Sequence, residues 1–433
     1  MPPKADHLSR RPESPGAGAT LDQWLSYLEA IHPAEIDLGL DRVLMVLRRL
    51  FPRKPKARII TVAGTNGKGS AVACLEALLL AAGRTTGAYT SPHLQRYNER
   101  VRVNGKDIGD EELIAAFAEV EAARKSVTLT YFESGTLAAF VLLARAGVED
   151  WILEVGLGGR LDAVNVLDPD LAIITSVDID HVAFLGNDRE TIGFEKAGIL
   201  RPGIPAIYAD IDPPRSVLQQ VAAQRVALQR LDETYYVDNT GSEVVLRFRG
   251  SDLALSLPTV PLPVNSVAAA VAAFRELEPD RPLDSVAGVI ARVRAPGRFE
   301  KLASHPAVYA DVGHNPHAAR WLAARLESMK SPAARLLAVY GALSDKDVEG
   351  VVQAMSPVVD QWYLGGLDCP RGLPVEALGE RVASAGSGLD IIECTTVSGA
   401  LQAALESANP DDLIIAFGSF FTVAEIRRFR EVE

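Results

Sequence analysis

Cysteine is scarce in this chain of 433 residues: only Cys74, Cys369 and Cys394 are present. They lack the spacing of metal ligands, and an odd, sparse set excludes a disulfide framework. A reducing compartment is therefore expected. Positive charge is also short, with 44 Lys and Arg against 56 Asp and Glu for a net charge of −12. Such a surface repels phosphate backbones and anionic lipid, which excludes a broad nucleic-acid or membrane face but not a local pocket for one small anion. No apolar run approaches the about 20 residues that span a bilayer. The start, Met1-Pro2-Pro3-Lys4, is too polar and proline-broken for a signal peptide. No internal repeat of fixed period is present. These absences point to a cytoplasmic protein with neither nucleic acid nor membrane as partner.

What is present suits globular folding. With 48% hydrophobic and 23% charged residues there is material for more than one core, and the length suggests two or three domains. Residues 1–18, rich in Pro, Gly and Arg, read as a disordered arm. Two helices are expected between Leu21 and Leu50. Short β-branched runs then alternate with helical stretches. Arg58–Ala63, Trp151–Val155 and Leu171–Val177 are apolar on both faces, as strands of a helix-covered parallel sheet are. A helix is expected over Ala71–Ala82, antiparallel hairpins between 205 and 262, and a helix over Asn265–Leu277. Beyond Ala295-Pro296-Gly297-Arg298 a second βαβ series begins. The expected division is 19–297 and 298–433, both α/β.

The strongest local signal is Gly64-Thr65-Asn66-Gly67-Lys68-Gly69-Ser70, placed between a buried strand and a helix. Binding a phosphate calls for converging backbone N–H groups, a helix N-terminus and a mobile cation, and three glycines with Lys68 supply them. The general P-loop would have Gly at Val62 and Ser or Thr at Gly69, so this is a variant; the alternative is a plain tight turn. Polar groups also follow other strands: Thr90-Ser91-Pro92-His93, Glu154, and Asp180-His181. Ligands of open parallel sheets gather beyond the carboxyl ends of strands. A hydroxyl, a carboxylate and an imidazole delivered there suit one or two Mg²⁺ ions bridging ATP phosphates. Each also has a plainer explanation: a cap for Ser91, an ion pair with Arg160 for Glu154, core packing for His181. Glu195-Lys196 alone would be a solvated pair, and Asn315-Pro316 a helix-capping turn.

Taken together, GTNGKGS at 64–70, TSPHL at 90–94, YNERVRVNG at 97–105, EVGLGGRLDA at 154–163, EKAGI at 195–199, GRFE at 297–300, HNPHAA at 314–319 and FGSFFTV at 417–423 resemble the folylpolyglutamate synthase/dihydrofolate synthase family of the Mur ligase superfamily. The resemblance runs in order from about residue 20 to the C-terminus. It implies a P-loop-type N-terminal domain with a mostly parallel sheet and a smaller Rossmann-like C-terminal domain. It also implies an ATP-dependent ligase that joins glutamate to dihydropteroate and to tetrahydrofolates through an acyl phosphate, acting as a monomer. By the same resemblance Gly64, Thr65, Asn66, Gly67, Lys68, Gly69, Ser70, Asn265, Arg298 and Asp311 bind ATP. Ser91, Glu154, His181 and Lys196, the last as a carbamate, hold Mg²⁺. Lys68, Lys196, His181 and His314 serve catalysis. Ile36, Asp37, Leu38, Thr130, Tyr131, Phe132, Glu133, Leu161, Asp162 and Ala163 form the dihydropteroate pocket, Phe132 packing on the flat pterin and Asp162 accepting its N–H groups. Departures from the family pattern are Gly313, Val164 and the apolar run Val182-Ala183-Phe184. A Mur-type ligase for another carboxylate and a nucleotide-controlled switch are the competing readings. The switch lacks an Asn-Lys-x-Asp guanine motif.

Overall fold

The computed structural model describes residues 13–16, 18–34, 36–239 and 243–432. Most of the expected N-terminal arm, residues 1–12 and 17, lies outside them. Arg58–Ala63 is the central strand of an eight-stranded sheet, parallel to Asp150–Glu154 on one side and Leu171–Ile174 on the other. Thr86–Tyr89 extends the first side, and Pro205–Tyr208 with Ala227–Arg230 extends the second, all parallel. The ribbon Val101–Val103 and Lys106–Asp107 closes one edge antiparallel. These central strands are buried along nearly their whole length, as their unbroken apolar sequences require.

Helices cover both faces. Lys68–Ala81 and Val264–Leu277 pack against each other on one face. The second helix carries Ala268, Ala269, Ala270, Ala272 and Ala273, all fully buried, and side chains this small let it approach closely. A three-stranded antiparallel sheet, Tyr235–Asn239, Val244–Phe248 and Ala254–Leu257, completes that core. On the other face Leu21–Ala30, Asp41–Leu50, Asp110–Arg124 and Tyr131–Ala146 enclose an aromatic core, with Trp24 stacked on Phe117 at 6.3 Å and Phe140 on Trp151 at 5.9 Å. The second sheet has six strands in the order Glu300–Ser304, Ala307–Asp311, Leu413–Phe417, Leu336–Tyr340, Gln361–Gly365 and Ile391–Cys394, parallel except for the first. No helix among the described residues is long and apolar enough to cross a membrane.

Two boundaries at the glycine loop shift, and the antiparallel hairpins expected between 205 and 262 are confined to Tyr235–Leu257, because Pro205–Tyr208 and Ala227–Arg230 join the first sheet in parallel. The helix expected from Ala71 begins at Lys68, because Gly67 takes the left-handed conformation (φ 83°) as its N-cap and turns the chain early. The strand expected to reach Val177 stops at Ile174. Thr175 and Ser176 leave the sheet to secure the glycine loop instead: the Thr175 hydroxyl donates to the Asn66 carbonyl at 2.6 Å, and the Ser176 carbonyl accepts the Thr65 N–H at 2.9 Å.

Candidate active site

The glycine loop sits at the carboxyl end of the central strand. A Cβ at Gly64 would meet the Thr175 hydroxyl at 1.8 Å and one at Gly67 the Ser266 hydroxyl at 2.3 Å, so no side chain fits at either position. Lys68 folds back over the loop and donates to the carbonyls of Gly64 (3.0 Å) and Thr65 (3.3 Å). An ammonium has three donors, so one remains for a phosphate oxygen. Thr65 instead braces the loop: its hydroxyl donates to the Asp178 carbonyl at 2.9 Å and accepts the Asp178 N–H at 3.0 Å.

Glu154 ends the neighbouring strand, 2% exposed. Its one hydrogen bond is long, 3.4 Å from the Ser91 N–H. Burial pushes its carboxyl pKa up, against the pull of Lys68 and Arg298. The expected alternative of an ion pair with Arg160 is wrong, because Arg160 pairs with Glu195 at 2.8 Å. Lys196 is not the solvated residue its sequence context allowed. It is 4% exposed, and burial, helped by the Lys68 charge, pushes its pKa down to about 7. Burial likewise brings Lys68 down, and His181 down to about 4. His181 is half-buried and holds φ 52° at the start of a short helix, so it is no core histidine. Among the described residues no three His, Cys, Asp or Glu side chains form a ready-made metal cage. An under-partnered carboxylate next to Ser91 nevertheless suits Mg²⁺, which keeps waters and takes phosphate oxygens alongside one or two carboxylates.

The second sheet delivers a complementary set. Asn315 caps the helix Pro316–Glu327, as the Asn-Pro turn suggested, and it also reaches across. Its amide and that of Asn66 exchange hydrogen bonds at 3.0 Å each, and Asn66 Nδ2 lies 2.8 Å from His317 Nδ1. Asp180 accepts from Lys346 Nζ at 2.7 Å and from Asn315 Nδ2 at 3.0 Å, with His314 Nε2 at 3.2 Å. Burial opposes ionisation of Asp180, but His314 and Lys346 outweigh it and hold the carboxyl far below the usual range. Asn66, Gly67, Ser70, Asn265, Arg298 and Asp311 line one cleft of about 400 Å³ between the two sheets. Asp311 accepts the N–H groups of Phe299 and Gly313 at 2.7 Å each.

The other expected pocket residues also converge. Thr130 and Glu133 form a capping box at the start of Tyr131–Ala146. Arg42 ties Glu133 (2.9 Å) to Asp37 (2.6 Å), beside the half-buried Ile36 and Leu38. The Phe132 ring fills the space where Gly156 would carry a Cβ, which would lie 2.6 Å from it. That places Phe132 against the loop bearing Leu161, Asp162 and Ala163. Asp162 accepts the N–H groups of Leu157 (2.8 Å) and Val164 (2.9 Å), and burial pushes it up to about 6. Arg42, Asn315, His317 and Lys346 were missed as site residues, and Asp180 was noted only as the neighbour of His181. Lys346 and Asn315 follow strands of the second sheet, so the strand-end rule applied there would have found them.

Comparison with known proteins agrees. The Mur ligase middle domain matches residues 62–226 and the Mur ligase glutamate ligase domain residues 297–420. The dihydrofolate synthase/folylpolyglutamate synthase of Escherichia coli K12 is 42% identical over 414 residues, covering 95% of this chain and 96% of its own. That of Haemophilus influenzae is 39% identical, covering 94% and 97%. E. coli FolC in complex with DHPP and ADP superposes with a TM-score of 0.92 at 41% identity, covering 97% of this chain and 99% of its own. A bifunctional folylpolyglutamate synthase/dihydrofolate synthase with Mn, AMPPNP and L-glutamate bound gives 0.88 at 40% identity, covering 96% and 99%. The chain belongs to the dihydrofolate synthase/folylpolyglutamate synthase family of Mur ligases and is an ATP-dependent ligase that uses a divalent metal.

Proposed function

We propose that one site between the two sheets joins L-glutamate to dihydropteroate and extends tetrahydrofolates by further glutamates, each cycle converting ATP to ADP and phosphate. The observation that carries this reading is the meeting of the glycine loop and the 311–317 segment of the second sheet around one cleft, with the buried Glu154 and Lys196 both within reach of the Lys68 charge. A carboxylate is a poor electrophile. Its oxygen therefore attacks the γ-phosphorus, ADP leaves, and an acyl phosphate forms. The amine of glutamate then attacks the acyl carbon, loses a proton, and expels inorganic phosphate. Positioning and charge neutralisation dominate such a transfer.

Lys68 and the loop amides of residues 64–70 hold the β- and γ-phosphates. Asn265, Arg298 and Asp311 hold the rest of the nucleotide. Ser91, Glu154 and His181 would hold Mg²⁺, which would supply positive charge to offset that of the phosphates. A Lys196 amine with its pKa near 7 is substantially neutral at physiological pH and takes up CO₂ with loss of a proton, turning a cation into an oxygen ligand. His314 acts as a positioning residue, fixing Asp180. Ile36, Asp37, Leu38, Thr130, Tyr131, Phe132, Glu133, Leu161, Asp162 and Ala163 hold the pteroyl group. Residues 19–297 and 298–433 are the two working lobes of a cytoplasmic monomer.

Glutamate-dependent ADP release, measured with dihydropteroate, tetrahydrofolate and a cell-wall precursor, tests the assignment. Release with both pteridine substrates is expected. Release with the cell-wall precursor alone would overturn it.

A further inference from the structure

Arg100 stands out among the buried groups that the reaction does not use. It is 8% exposed. Its Nε donates to His93 Nδ1 at 2.9 Å, and its guanidinium lies over the Tyr97 ring at 4.9 Å and the Tyr131 ring at 5.7 Å. Among the described residues no carboxylate pairs with it, and none accepts a hydrogen bond from its two terminal amino groups. The neighbouring Glu99 is engaged elsewhere, accepting the N–H groups of Leu94, Gln95 and Arg96 at 2.7–2.9 Å. A buried cation without a counter-ion is costly, and the usual remedy is an anion.

The position says which anion. Tyr131 opens the helix turn that also carries Phe132, so Arg100 borders the pteroyl pocket. His93 lies two residues beyond Ser91, at the metal end of the site. Lys68 serves the glycine loop, whereas Arg100 contacts His93, Tyr97 and Tyr131 on the pteroyl side. A carboxylate held by Arg100 is therefore read as one that does not receive the phosphoryl group. A folate ending in glutamate presents two carboxylates separated by a short side chain, whereas dihydropteroate presents one.

We infer that Arg100, with His93 beside it, binds the non-reacting α-carboxylate of the terminal glutamyl residue during chain extension, making it a specificity residue for folates over dihydropteroate. The inference rests on the pteroyl pocket proposed above. The aromatic stack dilutes the cation without discharging it, and both terminal amino groups keep the fork geometry that matches a carboxylate.

The test uses the intact enzyme and two matched substrates: tetrahydrofolate and its analogue with the terminal α-carboxylate converted to a carboxamide. Wild-type enzyme should extend the analogue with a KM at least about tenfold higher, the scale of one charge-assisted hydrogen bond. In Arg100→Gln that ratio should collapse toward one, and in Arg100→Lys it should partly persist. The KM for tetrahydrofolate should also rise at least about tenfold more than that for dihydropteroate. Equal KM values for acid and amide in wild-type enzyme would overturn the inference without recourse to any variant, as would equal losses on both pteridine substrates in a folded Arg100→Gln. If the wild type used neither pteridine, the pocket reading itself would fail, which is a separate and visible result.

Discussion

Glu154 and Asp180 are both acids shielded from solvent, one on the floor of the first sheet and one where the two sheets meet. Glu154 has a single long hydrogen bond, and burial drives its carboxyl toward the neutral form. Asp180, its side chain 8% exposed, accepts from Lys346, Asn315 and the His181 N–H, faces His314, and stays ionised. The floor therefore keeps its charges under-partnered, whereas the junction pairs them. A folded chain tolerates the first arrangement where a ligand completes it, and uses the second as a joint. Lys196 sides with Glu154, and the Asn66–Asn315 amide pair sides with Asp180.

Breaking the floor should have the largest effect on turnover. Lys68→Ala and Glu154→Gln are each expected to reduce glutamate-dependent ADP release by about a hundred- to a thousandfold or more. Thermal unfolding of Glu154→Gln should be no lower than wild type, because an unpaired buried charge has been removed. A Glu154→Gln that melts markedly earlier would place Glu154 with the paired groups. Lys196→Ala should lose about a hundredfold, with partial recovery in added short carboxylates. On the carbamate reading proposed above, wild-type activity should decline as pH falls through about 7, where the Lys196 amine becomes protonated.

Breaking the joint should act on stability instead. Lys346→Met leaves Asp180 without its cation and is expected to cost about 3 kcal/mol, read from denaturant unfolding. Adding Asp180→Asn should recover part of the loss, a coupling that a double-mutant cycle measures. The Asp180 pKa is depressed in the folded state, so its contribution is fully present above the unfolded value of about 3.9 and is lost as pH falls toward the folded value. The smallest effect belongs to Arg320→Ala. Arg320 is exposed and 3.2 Å from Asp178, and its loss should shift stability by under about 1 kcal/mol.

Much of the floor was legible from the sequence, because each of its groups follows a strand whose apolar run is unmistakable. The glycine loop, Ser91, Glu154 and His181 all stand at such ends. The joint was less legible. Asp180–Lys346 and Asn66–Asn315 link residues more than 160 positions apart, and neither periodicity nor spacing encodes which strand end of one sheet faces which of the other. The early start of the helix at Lys68 and the early end of the strand at Ile174 were hidden for a related reason. Both follow from the hydrogen bonds of Thr175 and Ser176 to the loop, a tertiary contact that local propensity does not carry.

Labelling the substrate carboxylate with oxygen-18 tests the chemistry most directly. If the acid is activated by phosphoryl transfer, one labelled oxygen per turnover must appear in the inorganic phosphate, with either dihydropteroate or tetrahydrofolate as substrate. Phosphate released without label, while amide bonds form at the normal rate, would contradict the account.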